Sequence, residues 1–206
     1  PKAHISRLPV RAKGRCPIKP PAGPPYIPPH TPAHMGYRMT DTSDAQTSPA
    51  TYPAPFVSSV MAIMPDWIDY NGHMNVAYYG LVFDKALDVV YEKIGIGETY
   101  VAQRGMGSFA LQVHQHYLQE IRMGERYRIE MLLLDSDHKR WHHMAWMTKV
   151  ETGEVAATYE CLSMNVDHKT RRSASLPDDV IARLARIVEA QKSVPRPPQT
   201  GAALGI

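Results

Sequence analysis

The chain has 206 residues, with 23 Lys and Arg against 20 Asp and Glu, 18 Pro and 2 Cys, a length that suits one folded domain with tails. Thirteen of the prolines fall in residues 1–55, together with seven Lys/Arg and two Asp/Glu, which leaves 56–206 with sixteen against eighteen, a balance of −2. The net positive charge therefore gives no support to a nucleic-acid partner, and no run approaches the ~20 apolar residues of a membrane span.

Residues 1–55 read as a disordered, polyproline-prone leader with almost no apolar periodicity. A polar, lightly acidic stretch opens at Met39, which suggests that translation starts there and that 1–38 is an upstream extension of the reading frame. A proline-rich tail for SH3-like partners is the competing view. The leader lacks the continuous apolar stretch of a secretory signal, and its prolines prevent the amphipathic helix of a mitochondrial presequence. Cys16 and Cys161 form neither a metal motif nor a disulfide framework, which fits a reducing cytoplasm.

Residues 56–175 read as the folded body. Residues 56–64 alternate weakly, enough for a short first strand stopped by Pro65. A polar loop follows over 66–75. Val76–Ile94 carries Tyr79, Phe83, Ala86, Leu87, Val90 and Ile94 at the 3.6-residue period, with Asp84, Lys85, Asp88 and Glu92 on another face. Asn75 suits its N-cap and Gly95 its C′ position, and Leu81, Val82 and Val89 widen the apolar surface enough to expect an enclosed helix. Residues 108–118 alternate as a strand. Tyr127, Ile129, Met131 and Leu133 share one face of the next, and 141–149 and 155–166 form two more, joined by the hairpin signal Glu151-Thr152-Gly153-Glu154. A C-terminal helix is expected within 176–194, with apolar residues at 180, 181, 184, 187 and 188, and 195–206 read as a disordered Pro/Gly/Ala tail. This order predicts an α+β fold in which an antiparallel sheet packs around one helix.

Nucleophile-elbow, Walker and dinucleotide signatures are missing. Reactive side chains concentrate in the loop that feeds the helix, where Asp69, Asn71, His73 and Asn75 lie within seven positions. The free N–H groups of a helix N-terminus favour developing negative charge, so a carbonyl bound there is polarised while a carboxylate attacks it or activates water. Asp, Asn and Gly are also ordinary loop and capping residues, and composition alone leaves both readings open. His114 and His116 share a strand face but lack a spaced third ligand, so no metal site is expected, and His142 and His143 point to opposite faces.

The run Asp69-Tyr-Asn-Gly-His-Met-Asn-Val-Ala-Tyr-Tyr, followed by Phe83-Asp84, resembles the hot-dog-fold acyl-CoA thioesterases of the 4-hydroxybenzoyl-CoA thioesterase type. The order His116-Tyr-Leu, Met123-Gly-Glu and Val166-Asp167 matches too, and the resemblance spans 57–175. It implies a curved antiparallel sheet wrapped around a central helix. It also implies a homodimer or homotetramer with sites at the subunit interface, and hydrolysis of an acyl-CoA without metal or cofactor. By the same resemblance, Asp69 is the catalytic nucleophile or general base, and backbone N–H groups around Val76 polarise the thioester. Asn71 and His73 orient water or the thioester, and Gly72 permits a tight loop approach. Val76 stands where relatives often carry Asn. Tyr79 is a further substrate-binding position, and Lys139 and Arg140 are candidates for CoA phosphates, with Arg171-Arg172 an additional pair. A second family design places the carboxylate on the helix, at Asp84 or Asp88 here. The alternatives on this scaffold are a non-hydrolytic acyl-CoA-binding protein and a dehydratase. Finally, Pro65-Asp-Trp-Ile-Asp-Tyr-Asn-Gly-His-Met and Asp167-His-Lys-Thr-Arg-Arg-Ser-Ala are similar to thioesterases of carnitine and betaine breakdown, the betainyl-CoA thioesterases, which implies aromatics around a trimethylammonium group near Asp69.

Overall fold

The 3.6-residue recurrence becomes helix α1 (Val76–Ile94), and a sheet curves around it in the computed structural model, which describes residues 52–203. The leader up to position 51, the start expected at Met39 and the last three residues of the tail lie outside the described residues. Asn75 caps α1 with its side chain, which accepts from the Ala77 N–H, and Gly95 ends the helix at φ 76°. That left-handed conformation is open to glycine at little steric cost. Tyr79, Val82, Phe83, Ala86, Leu87, Val90 and Ile94 are buried. Leu81, expected to help enclose the helix, is exposed, so one flank of α1 is open in the protomer.

Four long strands carry the sheet: β3 (Met106–Tyr117), β4 (Arg126–Ser136), β5 (Arg140–Lys149) and β6 (Val155–Asp167). All pairings are antiparallel, and β3 ends the order as an edge strand beside β6. The first strand expected over 56–64 is instead two fragments, β1 (Phe56–Val57) and β2 (Met61–Ala62), both on β4. The Ser58 hydroxyl, rather than a carbonyl, accepts the Ile129 N–H at 2.8 Å, and the ladder stops there. A two-turn helix, α2 (Glu98–Arg104), was not legible in the sequence. It buries only Tyr100 and so has no apolar period to read.

Tyr127, Ile129, Met131 and Leu133 face the α1 core, and that core also takes Val180, Leu184 and Ile187 of α3 (Asp178–Gln191). Arg183 of α3 donates to the Ile94 carbonyl at 3.1 Å, placing a cation at the negative end of α1. The intervening β4 residues Leu132 and Leu134 point to the other sheet face, where they cluster with Met144 and Trp146 of β5 and the partly buried Val155 and Val194 pack on them. The segment expected as a tail continues across this face, and the Gly201 N–H donates to the Glu160 carboxylate at 2.8 Å. It is held because a buried carboxylate needs donors.

One buried group sets a pH dependence. His143 is fully enclosed on the α1 side of β5, and desolvation, followed by the charge of His142, holds its imidazole down at about 3. Below pH ~6.5 the unfolded chain binds a proton at this residue and the folded chain does not, so stability falls as pH drops from there toward the folded value, by up to about 1.4 kcal/mol per pH unit. Asp137, held at about 2 mainly by hydrogen bonds from Lys139 and Arg140 against a desolvation cost, acts only at lower pH. Urea unfolding at pH 7, 6, 5 and 4 is expected to show a shallower loss for His143→Gln than for the wild type. Equal slopes would contradict this account.

Candidate active site

The loop before α1 is a miniature hairpin, tied by an Ile68–Met74 bridge. The Asp69 N–H donates to the His73 carbonyl and the Gly72 N–H to the Asp69 carbonyl, each at 3.0 Å. One Asp69 carboxylate oxygen, Oδ1, accepts the Asn71 N–H at 2.8 Å, which closes an Asx turn. Its Oδ2 has no hydrogen-bond partner among the described residues. Gly72 sits at φ 82° with nothing within 4 Å of where a Cβ would stand. The glycine therefore suits its left-handed backbone conformation, and no atom of the described residues crowds it.

The Asn75 N–H closes the hairpin on the Trp67 carbonyl, and the Met74 N–H docks it on the Ile121 carbonyl, each at 2.8 Å, beside the His73–Arg122 bridge. Asn75 then accepts twice, the Ala77 N–H on its side chain at 3.0 Å and the Tyr78 N–H on its carbonyl at 3.0 Å. The Val76 N–H is left without an acceptor among the described residues, at an exposed residue. A free carboxylate oxygen and a free helix N-terminal donor thus belong to one loop and cap, the pairing that acyl transfer needs: a base or nucleophile and an oxyanion donor.

Aromatic residues back this arrangement. Trp67 stacks on Tyr78 with centroids 5.6 Å apart, and Tyr79 meets Tyr117 of β3 edge-on at 5.2 Å. Burial pushes the Tyr79 phenol up, partly offset by a hydrogen bond with the Ile121 backbone. Tyr79 is therefore a support beneath the loop, 4 % exposed, while Tyr70 beside Asp69 is 96 % exposed. Ile121 and Arg122 were not singled out from the sequence, and Tyr117 only within the run His116-Tyr-Leu, with no role. They arrive from β3 and the turn after it.

Asp69, Asn71, Gly72 and His73 lie together on the hairpin, and Val76 is the first residue of α1. Lys139 and Arg140 do not join them within one protomer. They stand at the far end of β4, an 11-residue strand and so roughly 35 Å away along its length. There the Arg140 guanidinium is tied to Asp137 at 2.7 Å. Asp84 and Asp88 are exposed farther along α1. Partial burial and then the charge of Asp88 push the Asp84 carboxyl up, while Asp88 pairs with Lys85 at 3.1 Å. His114 is held by Gln112 at 3.0 Å and His116 by Thr158 at 3.3 Å, as ordinary sheet residues. Among the described residues no helix is long and apolar enough to cross a membrane.

The thioesterase-like superfamily matches residues 63–184. The betainyl-CoA thioesterase of Pseudomonas aeruginosa is 32 % identical over 144 residues, covering 70 % of this chain and 91 % of that protein. The Rhizobium meliloti protein named L-carnitine dehydrogenase/betainyl-CoA thioesterase is 32 % identical over 139 residues, 68 % of this chain but 28 % of its own length. Among solved structures, a Staphylococcus aureus protein in complex with CoA superposes with a TM-score of 0.70 at 26 % identity, over 77 % of this chain and 99 % of that one. A candidate thioesterase from Pseudomonas putida does so with 0.64 at 29 % identity, over 75 % and 98 %. The chain belongs to the thioesterase-like superfamily. It has the hot-dog fold and is a thioester hydrolase of the acyl-CoA thioesterase type.

Because Asn75 both closes the loop and starts the helix, Asn75→Ala is expected to lower stability by about 1–2 kcal/mol in urea titration. Hydrogen exchange should rise first at residues 69–77. A variant as stable as the wild type, with unchanged exchange there, would show that the cap does not hold the loop.

Proposed function

We propose that the chain hydrolyses a small acyl-CoA thioester to the free acid and CoA, with Asp69 as the nucleophile or general base. The observation that carries this reading is the free Oδ2 of Asp69 on the same loop and cap as the free Val76 N–H. In the nucleophilic route, Oδ2 bonds to the thioester carbon and the C–S bond breaks. Water then cleaves the resulting anhydride and restores the carboxylate. In the base route, Oδ2 takes a proton from water as the water oxygen bonds to that carbon, the C–S bond breaks, and the proton is then released to solvent, which restores the carboxylate. In both, the carbonyl oxygen's negative charge is met at the start of α1, the water oxygen ends in the acid, and the sulfur leaves as thiolate. A thiolate leaves readily near neutral pH, so the arrangement does not require a strong acid at the sulfur. Asn71 and His73 orient the water or thioester in this scheme.

The same reading includes a homodimer, or a homotetramer built from it, with the site completed at the interface. Its support is an edge strand that leaves Leu111, Val113 and Tyr117 exposed, with Val76 and Tyr70 of the helix start and loop exposed as well. A betainyl or similarly small cationic acyl group is the favoured substrate, on the strength of the named relatives and of Trp67, Tyr70 and Tyr78 around Asp69, whose ring faces attract such a cation. The CoA phosphates would reach Lys139 and Arg140 only from a site on a partner protomer. Cytoplasmic residence is part of the proposal, in keeping with the buried free thiol of Cys161.

Release of free thiol from a panel of CoA esters tests this function. Asp69→Asn is expected to keep the melting temperature and lose about 10²–10⁴-fold in kcat/KM. Wild-type release by that variant would overturn the role of Asp69. Tight CoA-ester binding without any thiol release would favour the non-hydrolytic alternative.

A further inference from the structure

The reaction leaves one motif without a role. Met123-Gly-Glu ends the turn between β3 and β4, and that turn is where the Asp69 hairpin docks. The Ile121 carbonyl accepts the Met74 N–H at 2.8 Å, and Arg122 bridges His73. A single side chain braces the turn. Glu125 reaches back so that its Oε2 accepts the Arg122 N–H at 2.6 Å, while its own N–H donates to the Arg122 carbonyl at 3.2 Å. Gly124 stands between them at φ 84°, the left-handed conformation that so short a turn uses. The other oxygen, Oε1, accepts from the Lys149 ammonium at 3.1 Å, and Lys149 is 8 % exposed. A buried ammonium needs an opposite charge, so Lys149 anchors the carboxylate to the end of β5. Against a desolvation cost, the bonds from Arg122 and Lys149 hold the Glu125 carboxyl below its usual range, which keeps it an ionised acceptor near neutral pH.

The bonds to the hairpin and to Glu125 act on one rigid unit. The Ile121 carbonyl and the Arg122 N–H belong to the same peptide group, which is planar and trans. Glu125 holds its N–H end and Met74 docks on its carbonyl end. The carboxylate therefore sets the direction in which the hairpin's acceptor points. Rotation of that peptide displaces Met74 and, through the Ile68–Met74 bridge, the Asp69 turn that the bridge closes.

We infer that Glu125 is a positioning residue which, through the Ile121–Arg122 peptide, holds the hairpin that presents Asp69 to the thioester. This rests on the reading of Asp69 as the reacting carboxylate and adds a residue that acts only through it. Lys149 contributes stability by pairing the carboxylate, whereas the acceptor offered to the Arg122 N–H contributes rate. The two contributions are separable by substitution.

Thiol release from one CoA ester, measured with urea stability across a set of variants, tests the assignment. Glu125→Gln keeps an acceptor for the Arg122 N–H, and Lys149→Met breaks the ion pair but leaves that acceptor in place. Both are expected to lose stability and to hold kcat within about threefold of wild type. Glu125→Met/Lys149→Met removes the pair as a unit, so no buried charge is stranded, but the acceptor is gone. That double variant is expected to lose about tenfold in kcat with KM within about twofold. Glu125→Leu/Lys149→Leu replaces it should it fail to fold. In an Asp69→Asn background the same two changes are expected to cost nothing further. A wild-type kcat in the double variant overturns the inference, and so does a loss of rate that follows stability across the series. A further tenfold loss in the Asp69→Asn background overturns it too, because Glu125 would then act by another route. Release by Asp69→Asn alone at the wild-type rate would instead refute Asp69 as the reacting group, a result distinct from these three.

Discussion

The capping of α1 by Asn75 is the interaction on which the site depends. Its side chain satisfies Ala77, its carbonyl satisfies Tyr78, and its own N–H is anchored to the Trp67 carbonyl. A helix has several N-terminal donors without intrahelical partners, and here the cap consumes some of them and spares that of Val76. The same residue sets where the Asp69 hairpin ends. Loop geometry and donor geometry are therefore not independent, and a change in one displaces the other.

What fixes the cap in space is the burial of α1. Phe83 and Ile94 are completely enclosed, and losing a side chain of this size from a core costs about 2–5 kcal/mol. The helix cannot slide or rotate relative to the sheet without giving up that packing, and Arg183 ties its far end to α3. Leu81 on the helix is exposed, as are Leu111, Val113 and Tyr117 on the edge strand, so apolar surface remains uncovered on both elements in the protomer.

The two faces of the sheet are treated differently. On the α1 side a buried polar set, Tyr91, His143 and Ser163, is held among aromatics, and burial pushes the Tyr91 phenol up to about 12 and the His143 imidazole down to about 3. Both are kept neutral by desolvation across the ordinary pH range. On the other face Val155 and Val194 pack on Leu132, Leu134, Met144 and Trp146. A composition of Pro, Gly and Ala describes the segment beyond as tail, yet its Gly201 N–H donates to the buried Glu160 carboxylate.

The sequence by itself determined the long helix to the residue, its two caps, the hairpin of β5 and β6, and the loop that carries Asp69. Each is a local matter of periodicity, capping or turn chemistry within a few residues. Only the tertiary structure decided that the first strand breaks at Ser58, where a hydroxyl takes a carbonyl's place in the ladder, and that α2 exists without any periodic signal. It also showed Gly72 in a left-handed conformation with open space around it. It separated Lys139 and Arg140 from Asp69 by the length of a strand, and it brought Tyr117 beside the helix. Those outcomes turn on pairing partners far apart in the chain, and a residue's neighbours across a sheet leave no mark on its neighbours in sequence.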